Sequence, residues 1–345
     1  MDVGTFCAQS RVLIVAGKGG VGKTTMAAAL ARMASRAGRS VLIVELEGKS
    51  GITGAFGLTD DLGYEEVELQ ATRPPDQATV RARRITPDDA LVEYLEDHGL
   101  RRVSKRLVSS GVVDVVSTAI PGIRDVLVLG KVKQLEREEV ADLIIVDAPA
   151  TGHAITFLTS ASELVSAARG GPLRTQAKDV VELLADPARC RVILVTLPED
   201  MPVSETIESA FTLEDKAGVQ LGPVIVNATD PVPEGLERSA QEADAAAETA
   251  GGSAAGSAGG SASGLAAGPE VDPSLLAALE QARQFRLQRH AISADQIERL
   301  ARDLPLPQLL VPLLLVETIG VAETDQLATA LAEAIGALVP EVPTS

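Results

Sequence analysis

The chain alternates short, consecutively apolar runs with longer segments whose apolar residues recur every three or four positions. The runs fall at residues 11–16, 41–45, 143–146, 191–195, 223–226 and 309–311. Each is rich in Val, Ile and Leu without polar alternation, the pattern of strands buried on both faces. Between the first two, Met26, Leu30, Met33 and Ala37 form one apolar helical stripe. Gly38 stands where that helix should end. Leu327, Leu331, Ala334 and Leu338 repeat the stripe near the C-terminus, with Thr324 or Asp325 as N-cap. Residues 87–138 read as mostly helical, broken at Gly111 and at Pro121-Gly122. Strands alternating with helices predict an α/β fold: a mostly parallel, doubly wound sheet with helices on both faces and a helical subdomain.

Composition sharpens this picture. With 2% aromatic residues and no Trp, the core must be built from Leu, Val, Ile and Ala. The 345 residues read as a single domain over 1–345. Residues 239–268 are almost only Ala, Gly, Ser and acids and bury little apolar surface, so they are predicted to be a flexible insertion, with a poor Ala-rich helix near 240–250 as the alternative. A net charge of −17 speaks against a nucleic-acid binder, which needs a basic face. No apolar run reaches membrane-spanning length, and the first ten residues lack the plan of a signal peptide. The expectation is a soluble, cytoplasmic protein without a direct membrane anchor. Cys7 and Cys190 make neither a disulfide framework nor a zinc site.

Directly after the first strand comes Gly17-Lys18-Gly19-Gly20-Val21-Gly22-Lys23-Thr24-Thr25. It fits G-x-x-x-x-G-K-[ST], the strand–loop–helix motif whose backbone N–H groups cradle phosphates. On that reading Lys23 reaches the β- and γ-phosphates, Thr24 places its hydroxyl on Mg²⁺ and Thr25 bonds the α-phosphate. Asp147 follows the third run and opens Asp147-Ala148-Pro149-Ala150-Thr151-Gly152-His153. A carboxylate at that strand end is placed to hold Mg²⁺ through water, and the N–H of Gly152 to meet a γ-phosphate.

Lys18 is a second lysine within the loop. The run resembles the deviant motif K-G-G-x-G-K-[ST] of the dimeric ATPases that include partitioning and division-site proteins, the nitrogenase iron protein, and the arsenite-pump and tail-anchored-protein-targeting ATPases. There the signature lysine reaches across a dimer interface to the partner's nucleotide. Residues 147–153 look like the D-T-A-P-T-G-H switch of the last two. That resemblance puts Glu47 where relatives carry the Asp that orients the attacking water; Glu is one methylene longer, and Gly48 replaces the usual Pro. It puts Asn227 against adenine, Val311-Pro312 beside it, and Glu205 at a fixed acid of the segment 196–206. Glu45 and Glu47 could otherwise be solvated loop acids. His153 reads as a packing residue of the switch, with a coupling role as the alternative.

The resemblance implies ATP and Mg²⁺ as cofactors and a homodimer, or a heterodimer with a paralogous ATPase, that handles a client protein. The alternative is a nucleotide-sensing regulatory subunit with little hydrolysis. An arsenite-efflux role is weaker, because soft-anion binding needs a cysteine cluster. Residues 157–189 contain no Met, which weakens a groove for membrane helices. An apolar stretch at 91–132 is either a client surface or, more simply, helices packed on their own core.

Overall fold

In a computed structural model the structure describes residues 1–46, 51–69, 77–97, 99, 122–230, 235–236 and 272–338. All six predicted runs are strands. In chain order the sheet comprises β1 (Val12–Gly17), β2 (Val41–Glu45), β3 (Val67–Glu68), β4 (Val80–Arg84), β5 (Leu143–Ala150), β6 (Cys190–Thr196), β7 (Val224–Thr229) and β8 (Gln308–Pro312). The spatial order is β3-β4-β2-β5-β1-β6-β7-β8. Every pairing is parallel except β3 with β4. β1 and β2 are buried along their whole length, which is why their sequences are apolar on consecutive positions.

The two faces of the sheet carry separate cores. One holds alternate strand residues (Val15, Ile43, Ile145, Ile225) against Met26, Leu30 and Met33 of α2 (Lys23–Arg36) and Leu327, Leu331 and Ile335 of α10 (Val321–Gly336). The short helices α1 (Val3–Ala8) and α3 (Gly51–Ala55) join this layer. The other holds Ile14, Val44, Val146 and Leu194 against α4 (Pro87–Asp97), α5 (Ile123–Arg137), α6 (Thr151–Ala167), α7 (Pro172–Ala185) and α8 (Asp200–Thr212). Alternation of side chains across each strand sends neighbouring residues to opposite layers.

Several elements depart from the sequence pattern. β4 reads Val-Arg-Ala-Arg-Arg, so no apolar run announces it. α9 (Pro273–Asp303) has only Leu300 buried and leaves Leu275, Leu279, Phe285 and Ile292 exposed. α10 starts at Val321 under a Gly320 cap, not at Thr324 or Asp325. The reason is local: Glu323 accepts the Gly320 N–H at 2.9 Å, while Asp325 is drawn to α2 by Arg32 at 2.5 Å and Arg36 at 2.8 Å. α2 ends as expected, with Gly38 at φ +80° and its N–H on Ser35. Ala37, the last position of the predicted stripe, is exposed.

The chain divides into two compact units: residues 1–229 with 297–345, and residues 230–296. Within the second, Arg286 pairs with Asp230 at 2.7 Å and His290 Nδ1 lies 2.9 Å from the Asp230 carbonyl. The predicted insertion at 239–268 lies outside the described residues. Of the apolar stretch at 91–132, Ile123 is buried and Leu95 packs partly against the core, while residues 100–121 lie outside the described residues.

Candidate functional site

The site is assembled at the carboxyl ends of the central parallel strands, where such sheets open a crevice. Gly17 ends β1 at φ +153°, so close to β6 that a Cβ would sit 2.3 Å from the Val195 carbonyl oxygen. The chain then turns through Lys18, Gly19 and Gly20 (φ +88°) to Gly22 (φ +93°), the N-cap of α2. That cap carries no side-chain hydrogen bond, and the first turn holds no acid. The first N–H groups of α2 and the positive end of its dipole are therefore turned to the crevice. Gly19 and Gly20 are exposed, and only Ala150 Cβ, at 3.7 Å, would meet a Cβ on Gly19.

Three side chains, two from distant strands and one from helix α8, meet this loop. The Thr24 hydroxyl donates to Asp147 Oδ2 at 2.7 Å, and Asp147 is 8% exposed. The Asn227 amide donates to the Val21 carbonyl at 2.9 Å. Lys18 Nζ lies 2.5 Å from Glu205 Oε1, on α8. Lys23 Nζ donates to the Lys18 carbonyl at 3.2 Å, folding the loop over its own lysine. Thr25 is half-buried in the first turn of α2, Gly152 is exposed at the start of α6, and Pro312 ends β8 beside β7, in register with Thr229.

Glu47 lies outside the described residues. The described residues on either side of that segment adjoin the site. Glu45 is in register with Asp147, and a Cβ on Gly51 would come 2.8 Å from Thr24 Cγ2. Glu45 is no solvated loop acid: it is 1% exposed and accepts from Arg84 Nε at 3.0 Å. Burial pushes its carboxyl above the usual range, outweighing the Arg84 cation. Sequence reasoning missed Arg84 because β4 itself was not visible. His153 is exposed, and it opposes the burial that raises the Asp125 carboxyl at the start of α5. Both thiols are inert: burial raises Cys7 to about 11 and Cys190 to about 12.

A glycine-rich loop opening an uncapped helix, with a lysine and a threonine–carboxylate pair beside it, defines a P-loop nucleotide-hydrolase site. The sequence profile of the anion-transporting ATPases matches residues 10–169. ATPase BagA of Mycobacterium tuberculosis is 38% identical over 248 residues, covering 68% of this chain and 71% of the relative. ATPase get3 of Schizosaccharomyces japonicus is 30% identical over 172 residues, 48% of this chain and 50% of the relative. The chain belongs to the ArsA-type ATPase family, which includes the tail-anchored-protein-targeting ATPases, and it is an ATPase. No helix among the described residues is long and apolar enough to cross a membrane.

The family's use of ATP, and typically of Mg²⁺, suits the donor set. Thr24 and Asp147 offer hard oxygen ligands 2.7 Å apart, and the α2 start offers backbone N–H groups and a lysine to an anion.

Proposed function

We propose that the chain is a Mg²⁺-dependent ATPase acting as a cytoplasmic dimer, with nucleotide state coupled to a partner or client protein. The observation that carries this reading is the Thr24–Asp147 pair at the uncapped start of α2. Residues Gly17 to Gly22 wrap the phosphates with backbone N–H groups. Lys23 neutralises the β- and γ-phosphates, and Thr25 bonds the α-phosphate. Thr24 and, through water, Asp147 hold Mg²⁺, which supplies charge neutralisation on the phosphates when bound. Gly152 presents its N–H to the γ-phosphate. Glu47 orients the attacking water; Glu45 and Gly51 against the site, two and four residues from it, support that role. Asn227 and Pro312 border the adenine. Lys18 addresses the partner's phosphates once it leaves Glu205. Rate enhancement comes from positioning and electrostatics, not from covalent chemistry.

The dimer is either homomeric or formed with a paralogous ATPase. A second reading, a sensing subunit with little turnover, is favoured by Glu in place of Asp at position 47. Arsenite efflux is disfavoured, because Cys7 packs on one face of the sheet and Cys190 on the other. The test is steady-state hydrolysis with sedimentation in Mg²⁺-ATP and Mg²⁺-ADP. The reading predicts turnover abolished by Lys23→Ala and ATP-dependent association weakened by Lys18→Ala. Association indifferent to nucleotide sinks the dimer model. Turnover near zero in the wild type, with ATP still bound, selects the sensing subunit.

A further inference from the structure

Asn227 ends β7 in an irregular stretch. The β7–β8 register shifts between Val226 and Thr229, and Ala228 takes φ +57°, one of two non-glycine residues with positive φ among those described. A left-handed Ala costs of order 1 kcal/mol and persists only where the surroundings impose it. The bulge re-aims one side chain, as bulges beside functional sites do. Here it turns the Asn227 amide onto the phosphate loop.

The contact is tight and specific. Asn227 Nδ2 donates to the Val21 carbonyl at 2.9 Å. Because that carbonyl can only accept, the NH₂ end of the amide must face it. The same nitrogen would lie 2.4 Å from a Cβ on Gly22, so glycine at this position makes room for the amide as well as supplying φ +93°. Val21 itself is 2% exposed and anchored in the core beside α2. A polar side chain from one strand thus fastens the backbone at the residue just before the helix cap.

We infer that Asn227 is a positioning residue of the phosphate loop: its amide holds the Val21–Gly22 peptide in the phosphate-binding conformation, coupling the base side of the site to the phosphate side. This rests on the nucleotide reading above but goes beyond contact with a base. A residue that touched only adenine would leave the binding of a base-free polyphosphate unchanged. A strut of the loop would not.

The test measures binding of Mg²⁺-tripolyphosphate, which has no base, and of Mg²⁺-ATP to the full chain and to Asn227→Asp. This variant keeps the shape but sets a charged oxygen against the Val21 carbonyl, so Asn227→Leu is measured beside it: it removes the donor without adding charge next to the anion, and the same loss is expected of it. We expect tripolyphosphate affinity to fall about tenfold or more, the value of one such hydrogen bond, and ATP affinity at least as far. Hydrogen exchange keeps the test decisive if binding is weak. Amides of residues 26–28, which close the first turn of α2 (Met26 N–H on the Gly22 carbonyl at 2.9 Å), should exchange faster in Asn227→Asp, while those of β1 keep their protection. Tripolyphosphate binding and loop exchange both matching the wild type, with only ATP weakened, would overturn the inference. Wild-type protein that binds neither probe would instead bring down the nucleotide reading itself.

Discussion

Lys18 Nζ sits 2.5 Å from Glu205 Oε1, tying the loop after β1 to helix α8. Both side chains are about one-third exposed, at 35% and 34%. Such a pair contributes only about 0–1 kcal/mol to stability. Its effect is on where Lys18 points, since a lysine held within its own chain must leave Glu205 before it meets any other anion. Glu205→Gln should therefore leave the melting midpoint within about 2 °C of wild type. It should also strengthen ATP-dependent self-association in sedimentation velocity. Unchanged association would show that the pair restrains nothing.

The Thr24–Asp147 contact makes a different prediction. Asp147 is buried at the end of β5, and its Oδ2 accepts from the Thr24 hydroxyl. Asp147→Asn keeps the shape and removes the charge that favours a divalent cation. Mg²⁺ should then cease to tighten ATP binding, with the Mg²⁺-dependent part of the affinity falling about tenfold or more, while metal-free ATP binding rises or stays level. Titration calorimetry with and without Mg²⁺ reads this directly. An equal loss in both conditions would make Asp147 a structural residue.

Gly17 tests the framework beneath the loop. Its Cβ position lies 2.3 Å from the Val195 carbonyl oxygen, which belongs to the backbone of β6 and cannot swing away. Gly17→Ala should force β1 and β6 apart and cost roughly 3 kcal/mol. For a chain of this size the melting midpoint should fall by about 4–5 °C. Gly20→Ala meets nothing within 4 Å and carries only the φ +88° penalty, so its loss should be markedly smaller. Equal losses at the two glycines would refute the close-approach argument.

Legibility followed burial. The six strands buried in the sheet were visible because burial on both faces makes consecutive residues apolar. The loop at Gly17 to Thr25 was visible because phosphate geometry demands glycines at fixed spacing. β4 was hidden because its arginines serve partners elsewhere: Arg84 meets Glu45, and Arg83 stacks on Tyr64 at 4.3 Å. α9 presents no buried stripe: only Leu300 is buried in it, and Leu275, Leu279, Phe285 and Ile292 are exposed. The start of α10 differs from the sequence expectation because nothing local says that Asp325 is claimed by Arg32 and Arg36 across the layer. The same limit applies to Glu205 and Asn227. Their residue types stand in the sequence, but their contacts with Lys18 and Val21 span 187 and 206 positions.

Glu45 supplies a prediction in pH. Its carboxyl is 1% exposed, and burial holds its pKa above the reference value of 4.5 despite Arg84 at 3.0 Å. The folded state therefore grips this proton more tightly than the unfolded chain does. The resulting stability is fully present below 4.5 and is lost as pH rises through the folded pKa. Glu45→Gln removes the titration, so the stability difference between variant and wild type should shift in the variant's favour as pH rises above about 4.5 and then level off. Arg84→Met should do the reverse, leaving a buried carboxylate without its cation at a cost of about 3 kcal/mol near neutral pH. Combining the two changes should recover much of that loss, because the charge and its counter-charge leave together. Urea midpoints measured across that pH range check all three chains. A Glu45→Gln difference that stays flat from pH 4.5 upward would show that the carboxyl is not held above its reference value.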